Sequence, residues 1–594
     1  MKELMGRINS PTELEEVRKG ILSKRDPDKP CIAICTGTGC RALGAANVVA
    51  ALKEEIKSQG LEAKVDIRET GCPGFCERGT VVTIYPEEIC YFQVKPSDAE
   101  EIVSQTIVAK NVVDRLLYVD PSTGEKVVHE SEIPFYKNQM RFLIGNNIKI
   151  NPKNIDDYLA LGGYSALSKA LFEMTPEQVL KEVKKANLRG RGGGGFPTGR
   201  KWEATRNAPG EVRYVIINAH EGEPGAFMDR ALFMGNPHSV LEGLIIGAYA
   251  IGSHQGYIYT RHDTPLLLDN VATALTQAEE YGLLGENILG SGFNFDVEVH
   301  RDIGIFVSGE SSALMIAIEG MAPEPRPKYI HTSVSGIWGR PSNLNNVETW
   351  ANVPLIINRG SEWFASIGTE RSKGTKLISL AGNIGNTGVI EVPMGTLLRK
   401  VIYEISGGIP NEKKLKAVHI GGPLGGSIPE SLLNTPVDFD ELTKVVAPIG
   451  AGGMIVMDEN TCMVDMAKYF LDFLADESCG KCVPCREGIK RMREILADIT
   501  QGKGREGDIE LLEEIAEVTR DASLCALGRA APNPVLSTIR YFRDEYEAHI
   551  KEKRCPAYVC KGLNFSAVER ISGEPVPAPT AQEARVVTGE SEQE

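Results

Sequence analysis

Apolar runs and breaks divide the chain into units of different pattern. Residues 1–27 read as a short helical lead, and Cys31-Ile32-Ala33-Ile34 then predicts a buried strand entering the loop Thr36-Gly37-Thr38-Gly39. Val81–Tyr85 and Ile89–Phe92 flank Pro86-Glu87-Glu88 as a hairpin would, which gives a compact α/β unit over 28–108. From 109 to 150 the pattern is that of a polar connector with little periodicity. Over 151–360 helical patterns alternate with strands expected at Tyr214–Ile217 and Ile303–Val307, which suggests an α/β layer fold. A smaller glycine-rich β unit follows at 370–447, with a strand at Ala417–Ile420 before Gly421-Gly422. The region 458–551 is helical, with amphipathic runs such as Glu510 to Val518, and 552–594 is a tail whose last residues, with Pro575, Pro577 and Pro579, are expected to be disordered.

At 594 residues the chain exceeds any single core, so three to five domains are expected. A net charge of −15 argues against a nucleic-acid partner, because phosphate contacts need clustered Lys and Arg. The partner is expected to be protein. No stretch of eighteen apolar residues appears, and the start lacks a signal peptide's apolar run, so the expectation is a cytoplasmic chain without direct membrane insertion. Thirteen cysteines cluster at metal-ligand spacing, unlike the disulfide framework of a short secreted domain.

Cys35 and Cys40 have four residues between them, Cys72 and Cys76 have three, and both pairs follow apparent strands on glycine-bearing loops. Four thiolates suit zinc or an iron–sulfur cluster, and the wide loops favour a two-iron cluster over the tighter pairs of structural zinc. A redox dithiol or a zinc knuckle is the alternative. These residues resemble the thioredoxin-like [2Fe–2S] ferredoxin domain associated with complex I flavoproteins. Cys31 and Cys90 fit no pair and read as buried apolar thiols.

The stretch Leu188 to Trp202 holds six glycines, with Lys201 and several arginines beside them. Such a loop exposes backbone N–H groups that can wrap a phosphate. It is not a Walker A loop, since Arg200 follows Gly199. Asn218-Ala219-His220-Glu221-Gly222-Glu223 closes a strand where α/β proteins place ligands, and Ser308-Gly309-Glu310-Ser311 and Asn345-Asn346-Val347-Glu348-Thr349 come later. Together these segments resemble the FMN- and NADH-binding flavoprotein subunit of complex I and of soluble bifurcating hydrogenases. The resemblance implies that Gly190, Arg191, Gly192, Gly193, Lys201, Asn218, Glu221, Gly309, Glu310, Asn345, Asn346 and Thr349 hold FMN. It also implies that Phe196, Arg200, Glu223, Ser311 and His331 face the nicotinamide nucleotide. A solvated loop carboxylate is the bland reading of Glu223. Flavin converts a two-electron hydride into single electrons, so no catalytic side chain beyond FMN is required.

The chain departs from the family pattern near the adenosine half. Ser311 stands where a second Glu is usual, His220 where Asp is usual, Arg200 where an apolar residue is common, and Ala204 and His331 where aromatics are common. Loss of a carboxylate beside the ribose removes repulsion of a 2′-phosphate, which turns the expectation from NAD(H) toward NADP(H). Neutral drift is the alternative.

Cys479, Cys482 and Cys485 have two residues between neighbours, and Cys525 follows at a distance; this is cubane spacing and predicts a [4Fe–4S] cluster, with zinc as the alternative. Cys462, His549, Cys555 and Cys560 remain and fit a Cys₃His zinc site, with unligated thiols as the alternative.

The resemblance implies a multidomain α/β and α+β protein with four parts: a thioredoxin-like ferredoxin domain, an α/β FMN-binding domain, a small ubiquitin-like β-grasp (SLBB) domain and a C-terminal helical [4Fe–4S] bundle. It implies a diaphorase subunit of a soluble electron-bifurcating hydrogenase or transhydrogenase complex. The partners it implies are a thioredoxin-like [2Fe–2S] subunit, a hydrogenase catalytic subunit or second flavoprotein subunit, and ferredoxin. A complex I-type NADH dehydrogenase subunit and a non-catalytic electron-wire scaffold are the alternative readings.

Overall fold

The computed structural model describes residues 6–563 apart from Ser122, Ile303 and Lys328; the tail expected to be disordered lies outside the described residues from 564 onward. Among the described residues the lead contains one helix, Pro11–Ser23, whose first turn is capped by the Ser10 hydroxyl.

In the first domain β1 (Cys31–Cys35), β2 (Asp66–Thr70), β3 (Val82–Tyr85) and β4 (Ile89–Tyr91) form a sheet in the order β2-β1-β3-β4. β1 runs parallel to β2 and antiparallel to β3, and β3–β4 is the expected hairpin with Ile84 opposite Ile89. The crossover helix Ala45–Ser58 buries Val48, Val49, Leu52 and Ile56 against this sheet, an i, i+3/i+4 stripe. Cys31 and Cys90 lie buried in β1 and β4.

The segment 109–150 is no polar connector. It contains a small ribbon of β5 (Tyr118–Val119) and β6 (Lys126–Val127), and it buries Ile133, Phe135, Tyr136, Leu143, Ile144, Ile148 and Ile150. Its apolar residues plug into three different cores, so they follow no single period along the chain. Phe135 stacks on Phe75 at 4.1 Å, and Glu391 accepts hydrogen bonds from the Leu143 and Ile144 N–H groups.

The large domain has a parallel sheet of β7 (Tyr214–Ala219), β8 (Gln255–Arg261), β9 (Asp296–Asp302) and β10 (Ser342–Asn346), in the order β10-β7-β8-β9. The strand expected at 303–307 is therefore displaced. β9 ends at Asp302, Ile303 lies outside the described residues, and Phe306–Gly309 is a 3₁₀ turn. The apolar run Ile305-Phe306-Val307 reflects burial of that turn against the helical domain. The central helix Pro237–Ile251 is apolar nearly all round, as a helix covered on every side must be. It crosses the helix Val347–Arg359 so closely that a Cβ on Gly243 would lie 2.0 Å from the Trp350 carbonyl oxygen.

The next unit is a five-stranded sheet of β11 (Thr375–Gly382), β12 (Gly388–Pro393), β13 (Leu415–Ile420), β14 (Gly426–Pro429) and β15 (Gly453–Asp458), ordered β12-β11-β15-β13-β14. β11 and β15 are parallel and the other pairs antiparallel, the arrangement of a β-grasp. The unit does not stop at 447: β15 is its central strand, and the intervening residues 446–452 carry Gly450 to Gly193 of the glycine loop. Helices Met463–Glu477, Val483–Thr500, Asp508–Ala522 and Asn533–Glu547 form the C-terminal bundle around its own apolar core.

The domains meet through backbone contacts. Val389 N–H donates to Gly74 O at 2.7 Å, Glu77 N–H to Thr387 O at 3.1 Å and Gly71 N–H to Asn147 O at 3.1 Å. The first domain is thus fastened to the large domain and the β-grasp sheet.

Candidate flavin and iron–sulfur centre

The glycine loop folds back on itself. Gly190 N–H donates to Phe196 O and Thr198 N–H to Leu188 O, both at 2.8 Å, and Gly193 pairs with Gly450 of the β-grasp unit. Gly193 has φ +112°, and a Cβ on Gly192 would sit 2.9 Å from the Asn346 Cβ; both positions require glycine. The loop feeds the helix Thr198–Asn207, whose N-terminus has no side-chain cap. Lys201 Nζ donates to Leu344 O at 2.8 Å, and burial lowers its pKa to about 8. Thr198 Oγ1 and Asn343 Oδ1 are buried without protein partners. An uncapped helix start, a buried ammonium and unpaired polar atoms fit a phosphate-bearing, hydrogen-bonding guest such as FMN.

The residues expected around that guest take different roles. Asn218 Nδ2 donates to Gly309 O at 2.9 Å, and Asn345 Oδ1 accepts from Trp202 Nε1 and Asn343 Nδ2. Asn346 caps the helix Val347–Arg359 and bonds Asp229, and Thr349 Oγ1 accepts from the Arg191 N–H at 2.9 Å. Arg191's guanidinium points away into the protein, to Arg189 O at 3.1 Å and Lys373 O at 2.6 Å, 3.7 Å from Glu348. Glu348 and Lys376 form a fully buried pair beside it. The Glu221 carboxylate accepts from the N–H groups of Asp229 (2.7 Å) and Arg230 (2.9 Å), so it caps the helix Met228–Gly235. Its backbone φ of +33° is strained for a non-glycine residue, as residues at ligand sites often are. Glu310 likewise caps the helix Ser311–Ile318.

Glu223 lies between domains, where a Cβ on Gly422 would meet its Oε2 at 2.6 Å and Oε1 has no partner. Burial, then the charge of Glu221, raise its pKa to about 7. Phe196 is half exposed, with the Arg200 guanidinium 5.8 Å from its ring centroid. Arg200 and Ala204 sit one turn apart on the exposed face of the helix Thr198–Asn207, Ser311 begins another helix and His331 is exposed in a turn.

His220 is buried in a cluster that sequence reasoning missed. Its Nε2 lies 3.0 Å from Asp302 Oδ2 and 3.0 Å from Ser308 Oγ, and Ser308 also bonds Asp302. Although burial pushes the Asp302 carboxyl upward, hydrogen bonds from His220 and Ser308 hold it below the usual carboxylate range. A charged residue ending a strand next to a serine-glycine turn was the available signal.

The cysteines gather in three places. Cys35, Cys40, Cys72 and Cys76 converge where a Cβ on Gly37 would meet the Cys72 Cβ at 3.0 Å and one on Gly79 the Cys40 Sγ at 3.0 Å. Cys479, Cys482, Cys485 and Cys525 line one cavity with Val307, Pro325, Leu524 and Leu527. Four soft donors around an apolar cavity fit an iron–sulfur cluster. Cys462, His549, Cys555 and Cys560 are all buried, with ligand atoms within 4.8 Å of one another. Their separations of 3.7 Å (Cys462 Sγ to Cys560 Sγ) and 3.4 Å (His549 Nε2 to either sulfur) are close to the ~3.8 and ~3.6 Å that tetrahedral zinc bond lengths give. His549 Nδ1 bonds Glu545 O at 2.7 Å, which leaves Nε2 free to ligate.

No helix among the described residues is long and apolar enough to cross a membrane. Residues 183–355 match the Nuo51 FMN-binding domain, 465–549 the NADH-ubiquinone oxidoreductase-F iron-sulfur binding region, and 21–106 the thioredoxin-like [2Fe-2S] ferredoxin. The second region encloses Cys479, Cys482, Cys485 and Cys525 but ends before Cys555. The chain is 50% identical over 427 residues to the NADP-reducing hydrogenase subunit HndC of Solidesulfovibrio fructosivorans, covering 72% of this chain and 87% of that one. It is 44% identical to an NADH-quinone oxidoreductase subunit of Rhizobium meliloti (strain 1021), over 68% of this chain and 96% of the relative. Among solved structures it resembles a chain of an NAD+-reducing [NiFe]-hydrogenase in the H2-reduced state, with TM-score 0.62, 26% identity and coverage of 95% and 94%. The chain belongs to the complex I 51-kDa-like family of FMN-binding NAD(P)H:acceptor oxidoreductases, with an N-terminal thioredoxin-like [2Fe–2S] domain and a C-terminal [4Fe–4S] region.

Proposed function

We propose that this chain is the diaphorase subunit of a soluble electron-bifurcating hydrogenase or transhydrogenase complex, exchanging hydride with NADP(H) and serving ferredoxin-linked partners. Bound FMN supplies the conversion between hydride and single electrons. The observation that carries the reading is the turn Phe306–Gly309: Val307 lines the Cys479–Cys525 cavity, while Gly309 O bonds Asn218 on the flavin side. In this reading one short turn touches both the flavin site and the first one-electron site.

In this reading Gly190, Gly192, Gly193, Lys201, Asn218, Gly309, Asn345 and Thr349 line FMN, and Arg191, Glu221, Glu310 and Asn346 brace that lining. Phe196, Arg200, Glu223, Ser311 and His331 flank the nucleotide. Cys35, Cys40, Cys72 and Cys76 hold the [2Fe–2S] cluster, Cys479, Cys482, Cys485 and Cys525 the [4Fe–4S] cluster, and the Cys₃His quartet a structural zinc. The Solidesulfovibrio relative, an NADP-reducing hydrogenase subunit, supports NADP and a hydrogenase partner. Purification of the native complex tests the reading: soluble hydrogenase or flavoprotein partners support it. Co-purification with membrane subunits would favour the complex I-type reading, which the Rhizobium relative supports.

A further inference from the structure

Asn147 is fully buried at the end of the segment that joins the first domain to the large one. Its Nδ2 donates to two carbonyls, Cys72 O and Ala231 O, each at 3.0 Å, while its own backbone oxygen accepts from the Gly71 N–H at 3.1 Å. Cys72 and Gly71 belong to the first domain's cysteine loop; Ala231 lies in the helix Met228–Gly235, which Glu221 caps at the flavin side. The packing around this bridge has no slack. A Cβ on Gly71 would lie 2.4 Å from the Gly235 Cα, and one on Gly235 would lie 2.5 Å from Asn147 Nδ2.

A side chain present only to fill space would need no polar atoms here, and burying an amide is costly unless its donors are used. Both Nδ2 protons are used, while Oδ1 is buried without a hydrogen-bond partner among the described residues. A flipped amide would set Oδ1 against two carbonyl oxygens, so the network fixes the orientation.

We propose that Asn147 is a positioning residue that fixes the Cys72 loop of the [2Fe–2S] site against the flavin-side helix Met228–Gly235. The proposal rests on Cys35, Cys40, Cys72 and Cys76 holding that cluster. Cluster potential responds to hydrogen bonding and solvent exposure around the ligands, so a loosened loop changes it.

The test uses the full-length protein reconstituted with FMN, iron and sulfide, as wild type, Asn147→Asp, Asn147→Leu and Gly71→Ala. Hydrogen exchange of residues 71–77 and 228–235 is measured, together with redox titration of both clusters by electron paramagnetic resonance. The expected result is exchange faster by roughly tenfold or more in both segments, the effect of losing about 1.4 kcal/mol of local stability. The [2Fe–2S] midpoint shifts, while FMN content and the [4Fe–4S] midpoint stay at wild-type values. Unchanged exchange and an unmoved [2Fe–2S] midpoint in the Asn147 variants would overturn the proposal. If those variants do not fold, Gly71→Ala, which strains the same contact, decides by the same two readouts. A wild-type protein without a [2Fe–2S] signal would instead remove the ligand assignment.

Discussion

His220 Nε2 and Ser308 Oγ lie 3.0 Å apart, and Asp302 bonds both. The contact ties the residue after β7 to the Phe306–Gly309 turn, whose Val307 lines the Cys479–Cys525 cavity. Asp302 supplies the negative charge of this cluster, and an imidazole beside it avoids a second one.

His220→Asp is therefore expected to set two carboxylates against each other, a repulsion of about 4 kcal/mol at 4 Å and an effective dielectric of 20. Repulsion raises the carboxyl pKa values in the folded state, so stability is retained at low pH and lost as pH rises. Thermal unfolding should show a deficit at pH 8 that shrinks toward pH 4. His220→Gln should lose less and show little pH dependence.

Ser311→Glu is expected to shift nucleotide choice toward NADH. A carboxylate near a 2′-phosphate costs between about 1 kcal/mol in water and about 4 kcal/mol in a partly buried site, or roughly fivefold to nearly a thousandfold. The ratio of kcat/KM for NADPH and NADH in wild type and variant measures it. An NADH preference in the wild type would contradict the proposed use of NADP(H).

Glu223, with its pKa raised to about 7, changes charge near neutrality. A carboxyl raised above its ordinary value of about 4.3 favours folding at low pH and loses that contribution as pH rises through 7. Glu223→Gln should be more stable than wild type at pH 8, by an amount on the order of 1–3 kcal/mol, and equal to it near pH 4. The wild-type nucleotide KM should change around pH 7, and the variant should keep the low-pH value throughout.

The Cys₃His quartet predicts one zinc per chain. Cys560→Ser should lose zinc and lower Tm while keeping FMN, about six irons and both cluster signals, because the quartet is separate from the two cluster sites. Loss of the [4Fe–4S] signal in this variant would reverse the assignment of the two C-terminal quartets.

The cysteine sets and the glycine loop were legible in the sequence because each lies in short segments with a distinct spacing, and the cysteines of each set do gather in space. The strands of the first hairpin and β7 were legible for the same local reason. The 109–150 segment was not, because its apolar residues serve three separate cores and share no period. β15 escaped the 370–447 unit because its partner β11 lies about 75 residues earlier, and pairing at that range leaves no local mark. Side-chain roles were harder still. Glu221 sits in the ligand motif, yet its carboxylate is committed to a helix N-terminus. Asn147 carries two interdomain hydrogen bonds from a stretch with no motif.

The most direct test of the central claim is rapid mixing of the purified, FMN- and cluster-loaded chain with NADPH or NADH, following flavin absorbance and then cluster signals in frozen samples. Fast flavin bleaching is expected, faster with NADPH, followed by appearance of the reduced [4Fe–4S] signal. Flavin that stays oxidised with both nucleotides would contradict the central claim and leave the chain a scaffold for its clusters.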